Sequence, residues 1–187
     1  MKTAIVHDYL NQYGGAERVL ECLHQLYPEA PVYTIVYDQH RLPGHFAQWD
    51  IRPSFINRAP LVRTQYEKMI RWFPRAVESF DLTGYDLVLS LSSGWVKGVL
   101  TTPETLHICI CTSPMRFAWD DYFPRLGRHS NPVTRWLMQR ALHGIRQWDV
   151  VSSFRADEFI AISHVVARRI KKYYRRDATV IHPGIDC

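Results

Sequence analysis

The sequence predicts an α/β domain, a doubly wound and mainly parallel sheet of Rossmann-like type, on three observations. Apolar runs of strand length recur at 2–6, 32–37, 86–91, 106–111, 159–162 and 179–181. Several are near-continuous rather than alternating, the mark of strands covered on both faces. Segments with helical spacing of apolar residues fall between the runs, and strands alternating with helices are the pattern of a doubly wound fold. With 187 residues, 47% hydrophobic and 13% aromatic, the chain has apolar surface for one core and reads as one domain.

The elements are justified in order. Residues 2–6 form a short apolar run ending in a polar turn, and 16–27 repeats Val19, Leu20, Leu23 and Leu26 as one helical stripe. Val32–Tyr37 is dense in β-branched and aromatic residues, which favour strands. Asn131 and Pro132 supply a helix cap and a first-turn proline. Val133, Trp136, Leu137, Ala141, Leu142, Ile145 and Trp148 follow at helical spacing, which predicts the longest helix here. Ser163 caps another helix, with Val166, Ile170 and Tyr173 on its inner stripe and Lys171, Lys172, Arg175 and Arg176 at its C-terminal end, where cations are favoured.

Composition excludes several classes. The N-terminus MKTAIVHDYL is too short and too polar for a signal peptide, and no stretch approaches the ~20 apolar residues of a membrane span, so a soluble or peripheral protein is expected. The four cysteines form no CxxC pair and no zinc ladder; Cys109 and Cys111 alternate on one strand face, as reduced thiols in a cytosolic core do. The net charge of +5 favours anionic partners: nucleic acid, acidic lipid or a pyrophosphate. Much of it falls in 51–77, where Arg52, Arg58, Arg63, Lys68, Arg71 and Arg75 face Glu67 alone, with Phe55, Tyr66, Trp72 and Phe73 interleaved. Arg58, Arg63, Lys68, Arg71, Trp72 and Arg75 are therefore candidates for contact with an anionic membrane surface, the alternative being a solvated helical face with its aromatics in the core. No nucleic-acid-binding module is recognisable.

Three constellations could carry chemistry. The first strand leads through His7-Asp8-Tyr9 to Gly14 and Gly15 at the start of a helix. Such a turn lets a phosphate approach the backbone, or it is merely tight; it is neither GxGxxG nor a Walker loop, which disfavours a dinucleotide dehydrogenase. Thr112, Ser113, Arg116, Trp119 and Asp120 follow the strand at 106–111, at the sheet edge where α/β ligands bind. Arg116 could fork onto a phosphate or carboxylate and Trp119 could stack on a sugar; alternatively Arg116 pairs with Asp120 or Asp121 and Trp119 fills the core. Ser92, Ser93 and Gly94 could offer donors to a ligand or simply cap a helix. Lys97 could meet an anion, the preferred reading being a solvated lysine, and His107, at the start of its strand, reads as structural. No Ser/His/Asp order and no metal-spaced set stands out.

These residues together resemble the retaining glycosyltransferases of family 4, two-domain GT-B enzymes, especially bacterial ones that build O-antigen, capsule and exopolysaccharide. The matches are VHDYLNQYGGAERVL at 5–19, FDLTGYDLVLSLSSGWVKGV at 80–99, HICICTSPMRFAWD at 107–120, WDVVSSFRADEFIAIS at 148–163 and VARRIKKYYRRDATVIHPGID at 166–186. The resemblance implies that Gly14 and Gly15 approach the pyrophosphate of a nucleoside-diphosphate sugar and that Thr112, Ser113, Arg116, Trp119, Asp120, Ser92 and Ser93 line the acceptor cleft. Many relatives read C-H-T-P-M-R where this sequence has Thr112, so their histidine's role does not carry over and no catalytic residue is assigned. Residues 1–182 are then an acceptor-binding Rossmann-like half of a GT-B fold and 183–187 the start of a linker. The donor-binding domain is missing from this sequence, so the chain alone is expected to be inactive. The resemblance further implies a hexose donor, a polyisoprenoid-linked or glycan acceptor, no cofactor and no metal, and a place at the cytoplasmic membrane face. The rival reading is a non-catalytic basic module for anionic lipid or nucleic acid.

Overall fold

The computed structural model describes residues 1–59, 62, 66–128 and 130–184, without the side chains of 66–68. Seven strands, β1 (Thr3–Leu10), β2 (Val32–Tyr37), β3 (Ile51–Pro53), β4 (Leu87–Ser92), β5 (Leu106–Cys111), β6 (Glu158–Ala161) and β7 (Thr179–Val180), form one sheet in the order β3-β2-β1-β4-β5-β6-β7. Every pair is parallel. The chain walks outward from β1 to β3, returns to β4, and walks the other way to β7. The reversal between β1 and β4 is the topological switch point of this Rossmann-like fold.

Side chains alternate along the strands, so neighbouring residues enter different layers. Ala4, Val6 and Val88 pack with α2 (Phe73–Glu78) and with Leu142 of the long helix, beside Trp95. Ile5, Val32, Leu87, Leu89 and Leu91 pack against Leu20 of α1 (Gly15–Leu26) on the opposite face. Between β5 and β6 lie the short α3 (Tyr122–Gly127) and α4 (Pro132–Ser153), at 22 residues the longest element, capped by the Asn131 side chain. Finally α5 (His164–Tyr174), capped by Ser163, covers Cys109, Cys111, Phe159 and Ala161.

Four expectations need correction. β1 does not end at residue 6 but continues through His7, Asp8 and Tyr9 to Leu10, because the polar side chains find buried partners. A strand at 51–53, within the basic segment, was not legible from its sequence. The inner stripe of α5 ends on Tyr174, which is 1% exposed, rather than on Tyr173. The fourth is Lys97: it is not solvated but 1% exposed, and the anion it meets is Asp149. The first half of α4 also presents Val133, Trp136 and Leu137 outward, each more than half exposed. No helix among the described residues is long and apolar enough to cross a membrane.

Candidate functional site at the carboxyl edge of the sheet

Because all strands are parallel, the loops after β1, β4 and β5 open at one edge, and β1, β4 and β5 are neighbours there. The glycine turn, the Ser93 corner and the 112–120 loop thus share the edge on either side of the switch point. β7 ends at the same edge, where Ile181 donates to the Ala161 carbonyl at 3.0 Å.

Two buried carboxylates build the switch point. Asp8, 2% exposed, accepts from the Ser93 amide (2.5 Å) and hydroxyl (2.8 Å) through Oδ2, and from the Trp95 (3.0 Å) and Val96 (2.9 Å) amides through Oδ1. It ties β1 to the corner after β4 and consumes the donors that Ser93 was expected to offer a ligand. The Ser92 hydroxyl likewise accepts from the Gly94 amide at 3.1 Å. Glu17 accepts from the Gly14 amide at 2.7 Å and meets His7 Nε2 at 3.2 Å. Burial pulls its carboxyl upward, but the contacts with His7, its own amide and the Gly14 amide outweigh this and hold it below the usual range. The glycine turn is thereby fixed from within: a Cβ at Gly14 would stand 3.4 Å from Glu17 Oε2, whereas one at Gly15 would meet nothing within 4 Å.

The next loop is held by a buried ion pair. Lys97 Nζ lies 2.5 Å from Asp149 Oδ1 on α4, donates to the Gly94 carbonyl, and stands over the rings of Trp148 and Tyr174. Asp149 also accepts from the Trp119 indole (2.7 Å) and the Tyr174 hydroxyl (3.0 Å). Burial first, and the Asp149 charge after it, push the Tyr174 phenol well above its ordinary pKa. Trp119 stacks on Tyr173 with centroids 4.6 Å apart, and Asp120 pairs with Arg169 at 3.1 Å and accepts from the Tyr173 hydroxyl. Trp119 and Asp120 therefore do not face the open cleft: their polar atoms anchor the loop onto α4 and α5.

The cleft itself, about 450 Å³, is lined by Ser93, Thr112, Ser113 and Arg116 of the expected residues, and by Arg125 and Arg169, which sequence reasoning missed. Arg116 pairs with neither Asp120 nor Asp121; among the described residues it makes no ion pair. Arg125 lies over the Phe117 ring at 5.8 Å, and Arg169 reaches Ser113 Oγ at 3.4 Å. Gly14, Gly15 and Ser92 share the edge but do not line this cleft. The signals for the missed arginines were slight: Arg125 lies one helical turn beyond Asp121, and Arg169 was hidden in a cationic run.

Of the candidates for an anionic surface, Arg58, Arg71 and Arg75 are exposed and Trp72 is 51% exposed. Arg63 and the side chain of Lys68 lie outside the described residues. Phe73 is in the core. Among the described residues, no group of three His, Cys, Asp or Glu side chains could hold a metal ion. His107, read as structural, is fully buried: its Nδ1 faces the Arg155 carbonyl at 3.1 Å and its Nε2 the Ser90 hydroxyl at 2.8 Å. A carbonyl can only accept, so Nδ1 carries the proton and Ser90 donates to Nε2.

Among curated protein sequences no significant match is found. A family model described as Glycosyltransferase Family 4 matches residues 13–187.

Proposed function

Since the chain belongs to glycosyltransferase family 4, we propose that it is the acceptor-side half of a retaining hexosyltransferase of cell-surface polysaccharide synthesis. The enzyme moves a hexose from a nucleoside-diphosphate sugar to a lipid-linked or glycan acceptor. The observation that carries this reading is the cleft at the switch-point edge, where Arg116, Arg125 and Arg169 meet hydroxyls of Ser93, Thr112 and Ser113.

In this reading Gly14 and Gly15 admit the donor's pyrophosphate to the start of α1, and the open space beyond Gly15 supports that approach. The leaving diphosphate is stabilised by fixed positive charge rather than by a metal, most of it on a donor-binding domain that joins this one. Asp8 and Asp149 touch no substrate; they hold the Ser93 corner and the 112–120 loop in place. The basic, partly apolar surface around Arg58, Arg71, Trp72 and Arg75 seats the domain on an anionic membrane at its cytoplasmic face. A nucleic-acid module is not favoured by the family match.

Saturation-transfer NMR with UDP- and GDP-hexoses tests the proposal. Weak binding is expected, with Kd roughly millimolar because most donor contacts lie elsewhere, and Gly15→Trp should abolish it. No transfer is expected from the chain alone. Turnover, micromolar affinity, or no response to any sugar nucleotide would overturn the reading.

A further inference from the structure

Two histidines are fully buried among the described residues, and their ring nitrogens are engaged differently. His107 has both committed, Nδ1 donating to the Arg155 carbonyl and Nε2 accepting from Ser90. No place is left for a second proton, and burial pushes that ring down to about 4. His7 on β1, 3% exposed, has one nitrogen committed: Nε2 meets Glu17 Oε1 at 3.2 Å. Glu17, held below the usual carboxylate range, is ionised and can only accept, so Nε2 carries a proton. Nδ1 is buried without a hydrogen-bond partner, and such an atom calls for a reason. A proton can be added there without breaking any hydrogen bond.

Glu17 connects this ring to the glycine turn. It is the third residue of α1, 3% exposed, and its Oε2 accepts from the Gly14 amide at 2.7 Å. The carboxylate thus takes one donor of a helix N-terminus, the place where an incoming anion would settle. The Gly15 and Ala16 amides bond no group among the described residues. A diphosphate drawn to them meets a fixed negative charge within the same helical turn. His7 is the one ion-pair partner of Glu17 among the described residues. On the other elements beside His7, Thr34 of β2 and Leu91 of β4 are its neighbours and neither is charged. Asp8, next in the chain, gives its carboxylate to Ser93, Trp95 and Val96. Further along α1, Arg18 is exposed and Glu21 is engaged by His45 and Tyr13.

We propose that His7 and Glu17 form a proton-coupled gate on the glycine turn: a diphosphate settling at the start of α1 draws a proton from solvent onto His7 Nδ1. The added charge cancels that of Glu17, so the turn turns from repelling the anion to accepting it. The proposal rests on the reading that Gly14 and Gly15 meet the donor's pyrophosphate, and it adds two positioning residues that touch no substrate. The coupling is reciprocal: what binding does to the proton, the proton does to binding. Affinity is therefore greatest at low pH and falls as His7 loses its second proton.

Titrating the isotope-labelled chain with UDP-glucose and GDP-mannose from about pH 5.5 to about pH 8.5, the range in which histidine exchanges its proton, tests this. The diphosphate of either probe is esterified at both ends and keeps its charge throughout, so a change in affinity belongs to the protein. Affinity read from the Gly14 and Gly15 amides should fall by about threefold to tenfold as pH rises, the scale of one charge at a helix end. Near neutral pH the ring-nitrogen shifts of His7 should show Nδ1 gaining a proton on saturation. Glu17→Gln keeps the contacts, its amide oxygen accepting from Gly14 and its NH2 donating to Nε2. It should bind about threefold to tenfold tighter than the unaltered chain at the alkaline end and show no pH dependence. His7→Gln should stay at the weak, alkaline level at every pH. Affinity that does not change with pH, an Nδ1 that gains no proton on saturation, or a Glu17→Gln chain that binds no tighter overturns the gate. The first two readings need no variant to fold. If the amides of Gly14 and Gly15 respond but without pH dependence, the gate alone falls; if neither responds to any sugar nucleotide at any pH, the donor reading of the turn falls as well.

Discussion

Replacing Lys97 by Met removes the buried cation and keeps most of its stem. Asp149 then retains hydrogen bonds from Trp119 and Tyr174 but loses its only counter-ion among the described residues, inside a site where both partners are at most 1% exposed. Breaking such a pair from one side costs about 3–5 kcal/mol, because a charge remains buried and uncompensated. Asp149→Asn leaves the Lys97 charge buried with neutral acceptors alone, the Gly94 carbonyl and the Asn oxygen, and should cost a similar ~3–5 kcal/mol. The double substitution leaves no net charge, and the Asn oxygen can still accept from Trp119 or Tyr174. Its cost should therefore fall short of the sum of the singles by about 2 kcal/mol or more, the coupling of contacting groups. Urea unfolding followed by tryptophan fluorescence measures all four corners of the cycle, with an unchanged urea slope as the check on two-state behaviour. Additive single losses, or singles below about 1 kcal/mol, would show that water reaches the pair and that the loop is anchored some other way.

Other outcomes follow from individual contacts. Burial pushes the His107 imidazole down to about 4, so the unfolded chain takes up a proton that the fold refuses. Its contribution is complete above the unfolded value near 6.5 and is lost as pH falls from there towards 4, about 3 kcal/mol in all; His107→Gln should flatten that limb of a stability–pH curve, and an unaltered limb would refute the assignment. A Cβ at Gly98 would stand 2.7 Å from two ring carbons of Trp148 and 3.0 Å from Ser152 Cβ. Gly98→Ala should therefore lower stability by about 1–3 kcal/mol through overpacking, and a neutral thermal shift would refute this. In vesicle co-sedimentation the chain should prefer anionic lipid, with each of Arg58, Arg71 and Arg75 near the surface contributing about 1 kcal/mol. Trp136→Ser with Leu137→Ser should weaken that binding, and equal binding to neutral vesicles, or none to either, would contradict a membrane-facing surface.

What the sequence made legible is what depends on local pattern. The apolar runs of β4 and β5 announce strands buried on both faces, and Asn131 and Ser163 mark their helices because a side chain caps the first amides. What escaped depends on partners distant along the chain. Asp8 looked like the start of a turn because the four donors that satisfy it lie 85 or more residues away. Lys97 looked solvated because Asp149, which makes its burial tolerable, is 52 residues on. The three-residue β3 carries too short a pattern to be seen and exists because β2 offers it a ladder. The candidate site was legible as an edge: Thr112, Ser113, Arg116 and Ser93 do come together. It was not legible as a division of labour, since Trp119 and Asp120 are tied to α4 and α5 and Arg125 and Arg169 line the cleft instead.

The most direct test of the central claim, that the switch-point edge is the substrate site of a glycosyltransferase, is a residue-by-residue map of amide shifts in the isotope-labelled chain titrated with GDP- and UDP-hexoses. The largest shifts should fall on Gly14 and Gly15, at Ser93, and along Thr112 to Arg116, all at the carboxyl edge of β1, β4 and β5. Shifts concentrated at the opposite edge, around Lys2, Asp50 and Tyr85, or confined to the exposed strip of α4, would contradict it.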